Sequence, residues 1–391
     1  MSNEPNVNPP ATPAAEANAP SPDHPAAPSD RIWVLEHNRD SLRLWFEQQG
    51  LPAFRADQIL KWVYQKSVVD IEKMTDLSKE LRESLKGRLD VFRSNVAKES
   101  RSLDGTIKLL LSFPGSQASA TDAAQPTPDA VQVECVMIPQ DDRRTACLST
   151  QAGCPVGCVF CASGQHGLQR NLKAAEIVEQ MLRLQQVVGC ENRLTHVVIM
   201  GMGEPLANFD ATIEAIYTIN EKWGVGLGAR HITVSTVGVP QRIRELADHN
   251  LQLNLAISLH APTDSLRRQL VPWASHFKIA EILEAAQYYF DITGREITLE
   301  YVLLEGLNDH MTQAQQLAKL AKKIRCSVNL IPYNPVEGLD FKRPGSEKVF
   351  AFQSVLRKAG IRTKVRKSRG AESDAACGQL RQRAEGESNR E

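Results

Sequence analysis

The sequence predicts an α/β fold whose core is a partial (β/α)6 barrel, preceded by a small N-terminal helical accessory domain and a β extension. Three observations support this prediction. After residue 170, apolar runs of strand length alternate with segments of helical periodicity. Such repeats form a parallel sheet with right-handed crossovers, and about six units are too few to close an eight-stranded barrel. Helical and then strand-like patterns precede the first repeat.

The first 90 residues are predicted to divide into a tail and a helical domain. Residues 1–35 form the disordered tail, because eight prolines, many alanines and no aromatic residue in the first 30 positions leave too little apolar surface to offset the entropy of folding. Residues 36–90 form the helical accessory domain, where leucines recur every four positions from Leu77 to Leu89. Further helices are expected at residues 41–49 and 54–65.

Residues 91–150 are predicted to form a β extension that leads into the core. Its strands are expected at residues 106–113, 131–138 and 144–149, with a loop rich in Pro, Ala, Ser and Thr at 114–129. Alternation along the second strand places Glu134 on the face opposite Val133 and Cys135. The third strand carries Cys147, seven residues ahead of the next cysteine.

Residues 151–370 are predicted to form the barrel, and residues 371–391 a C-terminal loop and tail. Strands are expected at residues 195–200, 231–237, 253–259, 297–304, 327–331 and 362–365. Helices are expected between them at residues 174–187, 209–222, 241–249, 279–290 and 312–323.

Composition excludes some classes of function. Lys+Arg and Asp+Glu are equal at 46 each, so the net charge of the 391 residues identifies no partner. No apolar run approaches the roughly 18 residues of a membrane span, and no secretory signal pattern is visible. Eight cysteines without such a signal fit a reducing compartment. We therefore expect a cytoplasmic protein without a membrane partner, and a monomer.

Three cysteines, Cys154, Cys158 and Cys161, fall within eight residues in the pattern C-x3-C-x2-C. A structural zinc site needs four protein ligands, and a [4Fe-4S] cluster usually takes four thiolates. Three thiols therefore favour a cluster that leaves one iron open to a ligand that is not protein. The alternatives are three structural thiols, or zinc with a distant fourth ligand such as His166 or Cys190.

Polar residues follow several predicted strands at their carboxyl ends, where parallel sheets collect functional groups. They are Gly203 and Glu204 in Gly-Met-Gly-Glu-Pro, Ser235, the Ser258-Leu259-His260 run, and Asn334. Each alone also fits turn chemistry. Together on one edge of the sheet, they predict a pocket for a cosubstrate.

The carboxyl-terminal stretch combines a basic run with a lone cysteine. Seven cations fall in thirteen residues with no acid between them: Arg357, Lys358, Arg362, Lys364, Arg366, Lys367 and Arg369. This density favours contact with phosphates, although charge runs are more often solvated faces. The run leads to Cys377 in a loop of small residues, where a thiol is predicted to be exposed.

The cysteine pattern, with Phe160 before its last member, resembles the signature of the radical SAM superfamily. Together with Cys147, Gly-Met-Gly-Glu-Pro, Ser-Leu-His-Ala and Ala-Ala-Cys-Gly-Gln-Leu around Cys377, it resembles the RlmN family of dual-specificity 23S rRNA and tRNA adenine-C2 methyltransferases, over about residues 36–382. This resemblance implies a radical SAM partial barrel with a [4Fe-4S] cluster on Cys154, Cys158 and Cys161. It also implies contacts to S-adenosylmethionine (SAM), which chelates the open iron, from Gly203, Glu204, Ser235, Ser258, Leu259, His260 and Asn334.

The resemblance further implies a reaction that consumes two SAM molecules per turnover. One methylates Cys377, and the other yields a 5′-deoxyadenosyl radical that takes a hydrogen from this methyl group. The carbon then adds to adenine C2, Glu134 accepts the C2 proton, and Cys147 attacks Cys377 to form a transient Cys147–Cys377 disulfide that releases the RNA. Glu134 has a second interpretation, as a carboxylate paired with Arg143 or Arg144.

The implied partners are 23S rRNA, tRNA and an electron donor such as flavodoxin. Two other functions remain open at this point. One is a radical SAM reaction on another target, either adenine C8, as in the related Cfr enzymes, or a protein or small metabolite. The other is a redox-sensing RNA-binding protein, with zinc on the three cysteines and Cys147–Cys377 as the switch. Packing roles are expected for Cys135, Cys190 and Cys326.

Overall fold

The computed structural model describes residues 31–115, 130–189 and 191–380. Three predictions therefore lie wholly or mostly outside the described residues: the disordered tail predicted over residues 1–35, nearly all of the loop at 114–129, and the packing role of Cys190. The last eleven residues of the predicted C-terminal tail lie outside them as well. The prediction for the end of the N-terminal tail was wrong, because Ile32–Trp33 form a strand and Trp33, Val34 and Leu35 are buried in the core.

The N-terminal region is helical, as predicted. Its elements are β1 (Ile32–Trp33), α1 (Arg39–Gln48), α2 (Phe54–Leu60), continued by a π-helical turn (Lys61–Gln65), then α3 (Lys79–Leu85) and β2 (Leu89–Asp90). Side chains cap two of these helices: Asn38 accepts from the backbone N–H of Ser41, and Ser78 accepts from that of Leu81. Strands β1 and β2 pair in parallel, which brings the two ends of the region together.

The β extension contributes four antiparallel strands to one large sheet. They are β3 (Asn95–Arg101), β4 (Ile107–Phe113), β5 (Val131–Gln140) and β6 (Arg143–Cys147). Strand β3 was not predicted, because its residues are mostly polar and exposed, so it shows no apolar alternation. It forms the edge of the sheet, where one neighbour is enough to hold a strand.

The remaining strands continue the sheet in parallel beside β6. They are β9 (His196–Ile199), β10 (Ile232–Thr236), β11 (Asn254–Ser258), β12 (Ile297–Leu303), β13 (Cys326–Pro332) and β14 (Thr363–Val365). The order across the ten-stranded sheet is β14-β13-β12-β11-β10-β9-β6-β5-β4-β3. In the part of the chain that the structure describes, β14 and β3 do not pair with each other, and the partial barrel is confirmed.

A short hairpin, not predicted from sequence, frames the cysteine loop. Strands β7 (Gln151–Gly153) and β8 (Leu168–Asn171) pair in a separate two-stranded sheet, with the three cysteines between them. Gly153 has a φ of +74°, and a Cβ there would lie 2.0 Å from the carbonyl oxygen of Gly167. Only glycine fits this position, because the two backbones cross where the loop begins.

Helices connect the parallel strands. They are α4 (Ala174–Val188), α5 (Phe209–Asn220), α6 (Pro240–Asp248), α7 (Asp264–Leu270), α8 (Ile279–Thr293), α9 (Met311–Ala321) and α10 (Ser346–Lys358). Helices α7 and α10 were missed. The first is too short for a clear pattern, whereas Val349, Phe352 and Leu356 of α10 do recur at helical spacing. Among the described helices, none is long and apolar enough to cross a membrane.

Candidate active site at the carboxyl edge of the sheet

One cavity gathers most of the residues predicted for the site. It lies at the carboxyl ends of the parallel strands, and ten of the predicted residues line it: Cys154, Cys158, Cys161, Gly203, Glu204, Ser235, Ser258, His260, Asn334 and Cys377. Three others do not line it. Leu259 is fully buried, Cys147 is buried at the end of β6, and Glu134 is buried on β5.

The cysteine loop is held against this cavity by backbone hydrogen bonds. Cys154 donates to the carbonyl of Gly167 (2.9 Å), and Val159 donates to that of Leu270 (3.1 Å). Phe160 packs edge-on against His260, with ring centroids 5.1 Å apart. The loop therefore has its own apolar support, which leaves the thiols to face the cavity.

The donor set fits a polynuclear cluster. Burial raises the pKa of Cys154 to about 12, and it also raises the pKa values of Cys158 and Cys161. Buried neutral thiols of this kind release their protons when a metal binds, because thiolates are the ligands. In the described ranges, no three His, Cys, Asp or Glu side chains are gathered as ligands of a single metal ion. The thiols of a cube bind separate irons, so they need not meet at one point.

Gly203 and Glu204 form the next part of the wall, after β9. Gly203 has a φ of +104°, and a Cβ there would lie 2.7 Å from Cβ of Gln151, so no side chain fits. Glu204 is 2% exposed, and its two carboxylate oxygens accept from the backbone N–H groups of Leu206 (3.0 Å) and Val237 (2.8 Å). Burial nevertheless raises the pKa of Glu204 to about 7.

The next two strand ends contribute hydroxyl groups and an imidazole. The Oγ atoms of Ser235 and Ser258 lie 3.4 Å apart on neighbouring strands. His260 Nδ1 faces the backbone N–H of Val302 at 3.1 Å, so it accepts, and the remaining proton is on Nε2. Burial lowers the pKa of His260 to about 3, which keeps the ring neutral.

Leu259 takes part in the structure of the site through its backbone carbonyl, since its side chain is buried away from the cavity. Its carbonyl accepts from Arg267 Nε at 3.2 Å, and Arg267 also donates to the carbonyl of Val237. Arg267 is 1% exposed as a residue, and its guanidinium lies near Cys158 and Glu204. Sequence reasoning missed this buried cation, because α7, which carries it, was not predicted.

The segment that carries Cys377 is joined to both sides of the cavity. Asn334 Nδ2 donates to the carbonyl of Cys377 (3.1 Å), and the backbone N–H of Ala162 donates to that of Gly378 (2.8 Å). Gln379 Nε2 donates to the carbonyl of Pro335 (2.8 Å). Cys377 itself is exposed. The segment therefore lies over the cysteine loop with its thiol accessible.

Cys147 and Cys377 are both free thiols in this structure. Burial raises the pKa of Cys147 to about 12, an effect that Cys377 increases and Arg366 opposes. Cys377, when ionised, raises the pKa of Arg366, as do Glu300 and Cys147 to a smaller extent. The guanidinium also pairs with Glu300 at 3.7 Å. Sequence reasoning counted Arg366 only as one cation of the basic run, because nothing in the linear order indicates that it lies near both sulfurs.

Glu134 has a different charged partner from the arginines considered for it. Lys108 Nζ lies 2.9 Å from Glu134 Oε1, whereas the guanidinium of Arg144 donates to Asn192 Oδ1. The pairing follows from the register of β4 and β5, in which Leu110 is opposite Glu134 and Lys108 is opposite Val136, two residues along. A register between strands separated by the loop at 114–129 is not visible in the sequence.

A basic groove opens beside Cys377. Its lining includes the cysteine together with Arg143, Arg362, Lys364, Arg366, Lys367 and Arg369. Five cations of the predicted basic run are therefore present, and Arg143 joins them from β6. Arg357 and Lys358 do not line the groove, because they belong to the last turn of α10.

Comparisons with known proteins agree with this architecture. The family model of the ribosomal RNA large subunit methyltransferase N-terminal domain matches residues 33–91, and that of the radical SAM superfamily matches residues 148–318. A protein of Gloeobacter violaceus named as a probable dual-specificity RNA methyltransferase RlmN is 45% identical over 351 residues, or 90% of this chain and 95% of that protein. A protein of the same name from Rhodopirellula baltica is 42% identical, over 89% of this chain and 90% of its own length.

A solved structure of a radical SAM methyltransferase is also similar to this chain. The crystal structure of a radical SAM methyltransferase from Sphaerobacter thermophilus is similar with a TM-score of 0.83 and 41% sequence identity, covering 90% of this chain and 99% of the other. The relatives and the solved structure each match about nine tenths of the chain. The chain belongs to the RlmN family of dual-specificity RNA methyltransferases, within the radical SAM superfamily.

Proposed function

We propose that this chain methylates C2 of an adenine in the peptidyl-transferase centre of 23S rRNA and an adenine in the anticodon loop of tRNA, with Cys377 as the methyl carrier. One observation carries the proposal. Cys377 lines both the cavity of the three loop cysteines and the basic groove, so a single exposed thiol faces a cofactor site and a surface suited to phosphates. The dual specificity in the names of the relatives supports two RNA substrates.

The cofactor is held by the chain's own thiols and strand ends. Cys154, Cys158 and Cys161 bind a [4Fe-4S] cluster. SAM is held at the strand ends by seven residues: Gly203, Glu204, Ser235, Ser258, Leu259, neutral His260 and Asn334. When both are bound, the cluster and SAM together supply a 5′-deoxyadenosyl radical. Gly203 brings backbone groups close to the ligand, because it has no side chain.

Cys377 acts first as a nucleophile and then as a carbon donor. Its sulfur takes a methyl group from one SAM, forming an S–CH3 bond as the sulfonium C–S bond of SAM breaks and the thiol proton leaves. The methyl group then gives up one hydrogen atom to the 5′-deoxyadenosyl radical, and the carbon radical that remains bonds to adenine C2. This route suits an aromatic carbon that is electrophilic and carries a hydrogen that is not acidic, where direct displacement on SAM fails.

Glu134 and Cys147 complete the turnover. After the radical adduct has passed one electron to an acceptor, for which the oxidised cluster would serve, the Glu134 carboxylate accepts the C2 proton and the ring regains its aromaticity. The Cys147 thiolate then attacks the sulfur of Cys377, so an S–S bond forms and the S–CH2 bond breaks. The electron pair goes to the methylene carbon, which takes a proton and becomes the methyl group. Reduction of the disulfide prepares the next turnover.

The test is an oxygen-free assay with a reductant, a 23S rRNA transcript or tRNA, and SAM labelled in its methyl group. We expect 2-methyladenosine among the digested nucleosides. Protein whose Cys377 already carries an unlabelled methyl group should give unlabelled product in the first turnover. A product methylated at C8, or label in the first product, would contradict the proposal. Zinc without iron or sulfide would instead favour a redox-sensing RNA-binding protein.

Two further parts of the proposal concern partners. We infer that the electron comes from a flavodoxin-type donor and that the chain acts as a monomer. Turnover supported by reduced flavodoxin in place of a chemical reductant tests the first inference. Light scattering of the protein, free and bound to tRNA, tests the second.

A further inference from the structure

Lys108 is a buried cation that joins two parts of the site. It lies on β4 and is 5% exposed as a residue. Its ammonium forms an ion pair with Glu134 Oε1 at 2.9 Å and donates to the backbone carbonyl of Asp374 at 3.0 Å. Asp374 precedes Cys377 by three residues. One side chain therefore contacts both the proposed proton acceptor and the segment of the methyl carrier.

The same segment is also held by the turn between β3 and β4. Asp104 Oδ2 accepts from the backbone N–H of Gly370 at 3.0 Å, and the hydroxyl groups of Ser102 and Ser373 lie 2.5 Å apart. A Cβ at Gly370, whose φ is +68°, would lie 2.8 Å from Thr106 Cγ2. Residues 370–374 thus pack on the β3–β4 hairpin, and Lys108 contacts Asp374, the residue of this stretch closest to Cys377 in sequence.

The energetics of the ion pair between Lys108 and Glu134 favour a role for it other than stabilising the fold. The side chains of Lys108 and Glu134 are only 6% and 3% exposed, so both charges are largely removed from water. Desolvation of two ions offsets most of their attraction, and apolar residues of similar volume often stabilise a fold equally well. A buried ion pair that also contacts the backbone of a reactive loop is better explained by the geometry that it imposes.

We propose that Lys108 is a positioning residue of the methyl-transfer reaction, whose ammonium holds the Glu134 carboxylate in a fixed relation to the segment that carries Cys377. This inference rests on the proposed function, since it takes Glu134 as the proton acceptor. Lys108 acts after the carbon has bonded to adenine, when the C2 proton passes to a Glu134 oxygen. Loading of the methyl group onto Cys377 does not need it.

The experiment compares the full-length, cluster-loaded variants Lys108→Met and Lys108→Arg under single-turnover conditions with RNA. We expect Lys108→Met to load Cys377 normally, as seen by mass spectrometry, and to release methylated RNA slower by on the order of a hundredfold, because small displacements of a reacting group have effects of that size. The covalent protein–RNA adduct should accumulate accordingly. Lys108→Arg keeps the charge and should restore much of the rate. Lys98→Met, at an exposed lysine of β3, is the matched control.

A double-mutant cycle separates the possible outcomes. If Lys108 acts through Glu134, then Lys108→Met added to Glu134→Gln should slow release no further. Multiplicative effects would overturn the inference, as would normal release by Lys108→Met. The double variant has no buried charge at this position, so it also tests whether the single variant merely fails to fold. Normal release by Glu134→Gln would instead reject the proposed role of Glu134 itself.

Discussion

The side-chain amide of Asn334 donates to the backbone carbonyl of Cys377 at 3.1 Å, so a residue at the end of β13 holds the segment of the proposed methyl carrier. Ser368 Oγ donates to Asn334 Oδ1 at 2.5 Å, which fixes the orientation of the amide. Asn334 also lines the cavity proposed for SAM. One side chain thus links the proposed SAM site to the placement of the thiol.

From this contact we predict that Asn334→Ala slows methylation of Cys377 by roughly tenfold to a hundredfold, because the thiol is no longer held near the cofactor. The measurement is the fraction of S-methylated Cys377 against time with SAM and reductant, before RNA is added. Asn192→Ala, on the surface beside Arg144, should load at the normal rate. Equal loading in the two variants would show that Asn334 does not position the thiol.

A second prediction concerns Cys147. Replacing it with alanine should leave the protein covalently attached to RNA, because in the proposed mechanism bond formation to C2 precedes the step that needs this thiol. Denaturing gel electrophoresis after incubation with labelled RNA would show the attached species. Cys135→Ala, at another buried thiol of the same sheet, should release RNA normally. Free methylated RNA from the Cys147 variant would remove this residue from the mechanism.

A third prediction concerns Cys377. Its replacement by alanine should abolish the adduct, since no carrier remains to bond to adenine. The fold should be affected little, by under about 1 kcal/mol, because an exposed side chain makes few packing contacts. Thermal unfolding checks the second point, and the same gel assay checks the first. An adduct that persists in this variant would require another carrier residue.

The sequence predicted the parts of this site whose residues are close in the chain or follow neighbouring parallel strands. It did not predict contacts that depend on the register between two paired strands. Cys154, Cys158 and Cys161 are close because they are close in the chain. Glu204 and His260 share the cavity because parallel strands end at one edge. Lys108 contacts Glu134 because of the register in which β4 pairs with β5. The sequence of either strand alone does not predict that register.

A fourth prediction tests the loop cysteines. Cys158→Ala should lose the iron, the sulfide and the brown colour of protein prepared without oxygen, because two remaining thiols cannot hold a cube that leaves one iron open. Cys326→Ala is the matched control, since this half-buried thiol on β13 donates to the carbonyl of Ala321 and does not line the cavity. Iron and sulfide analysis of both variants shows whether Cys158 is needed to hold the cluster. Retention of a full cluster by Cys158→Ala would refute the assignment.

The last prediction follows from the raised pKa of Glu204, which burial moves from the ordinary 4.5 to about 7. The folded chain therefore favours the protonated carboxyl, and the stability gained by binding this proton is fully present below pH 4.5 and is lost as the pH rises through 7. We expect this contribution to the free energy of unfolding of the metal-free chain to fall by about 3 kcal/mol in total between about pH 4.5 and pH 7.5, with roughly 1.4 kcal/mol of that fall above pH 6. Glu204→Gln should remove this slope, at a constant loss of about 1 kcal/mol because one backbone N–H loses its acceptor. Denaturant titrations at a series of pH values measure both curves. His260 contributes the same pH dependence to both proteins, so parallel curves would mean that the pKa of Glu204 is not raised in the folded chain.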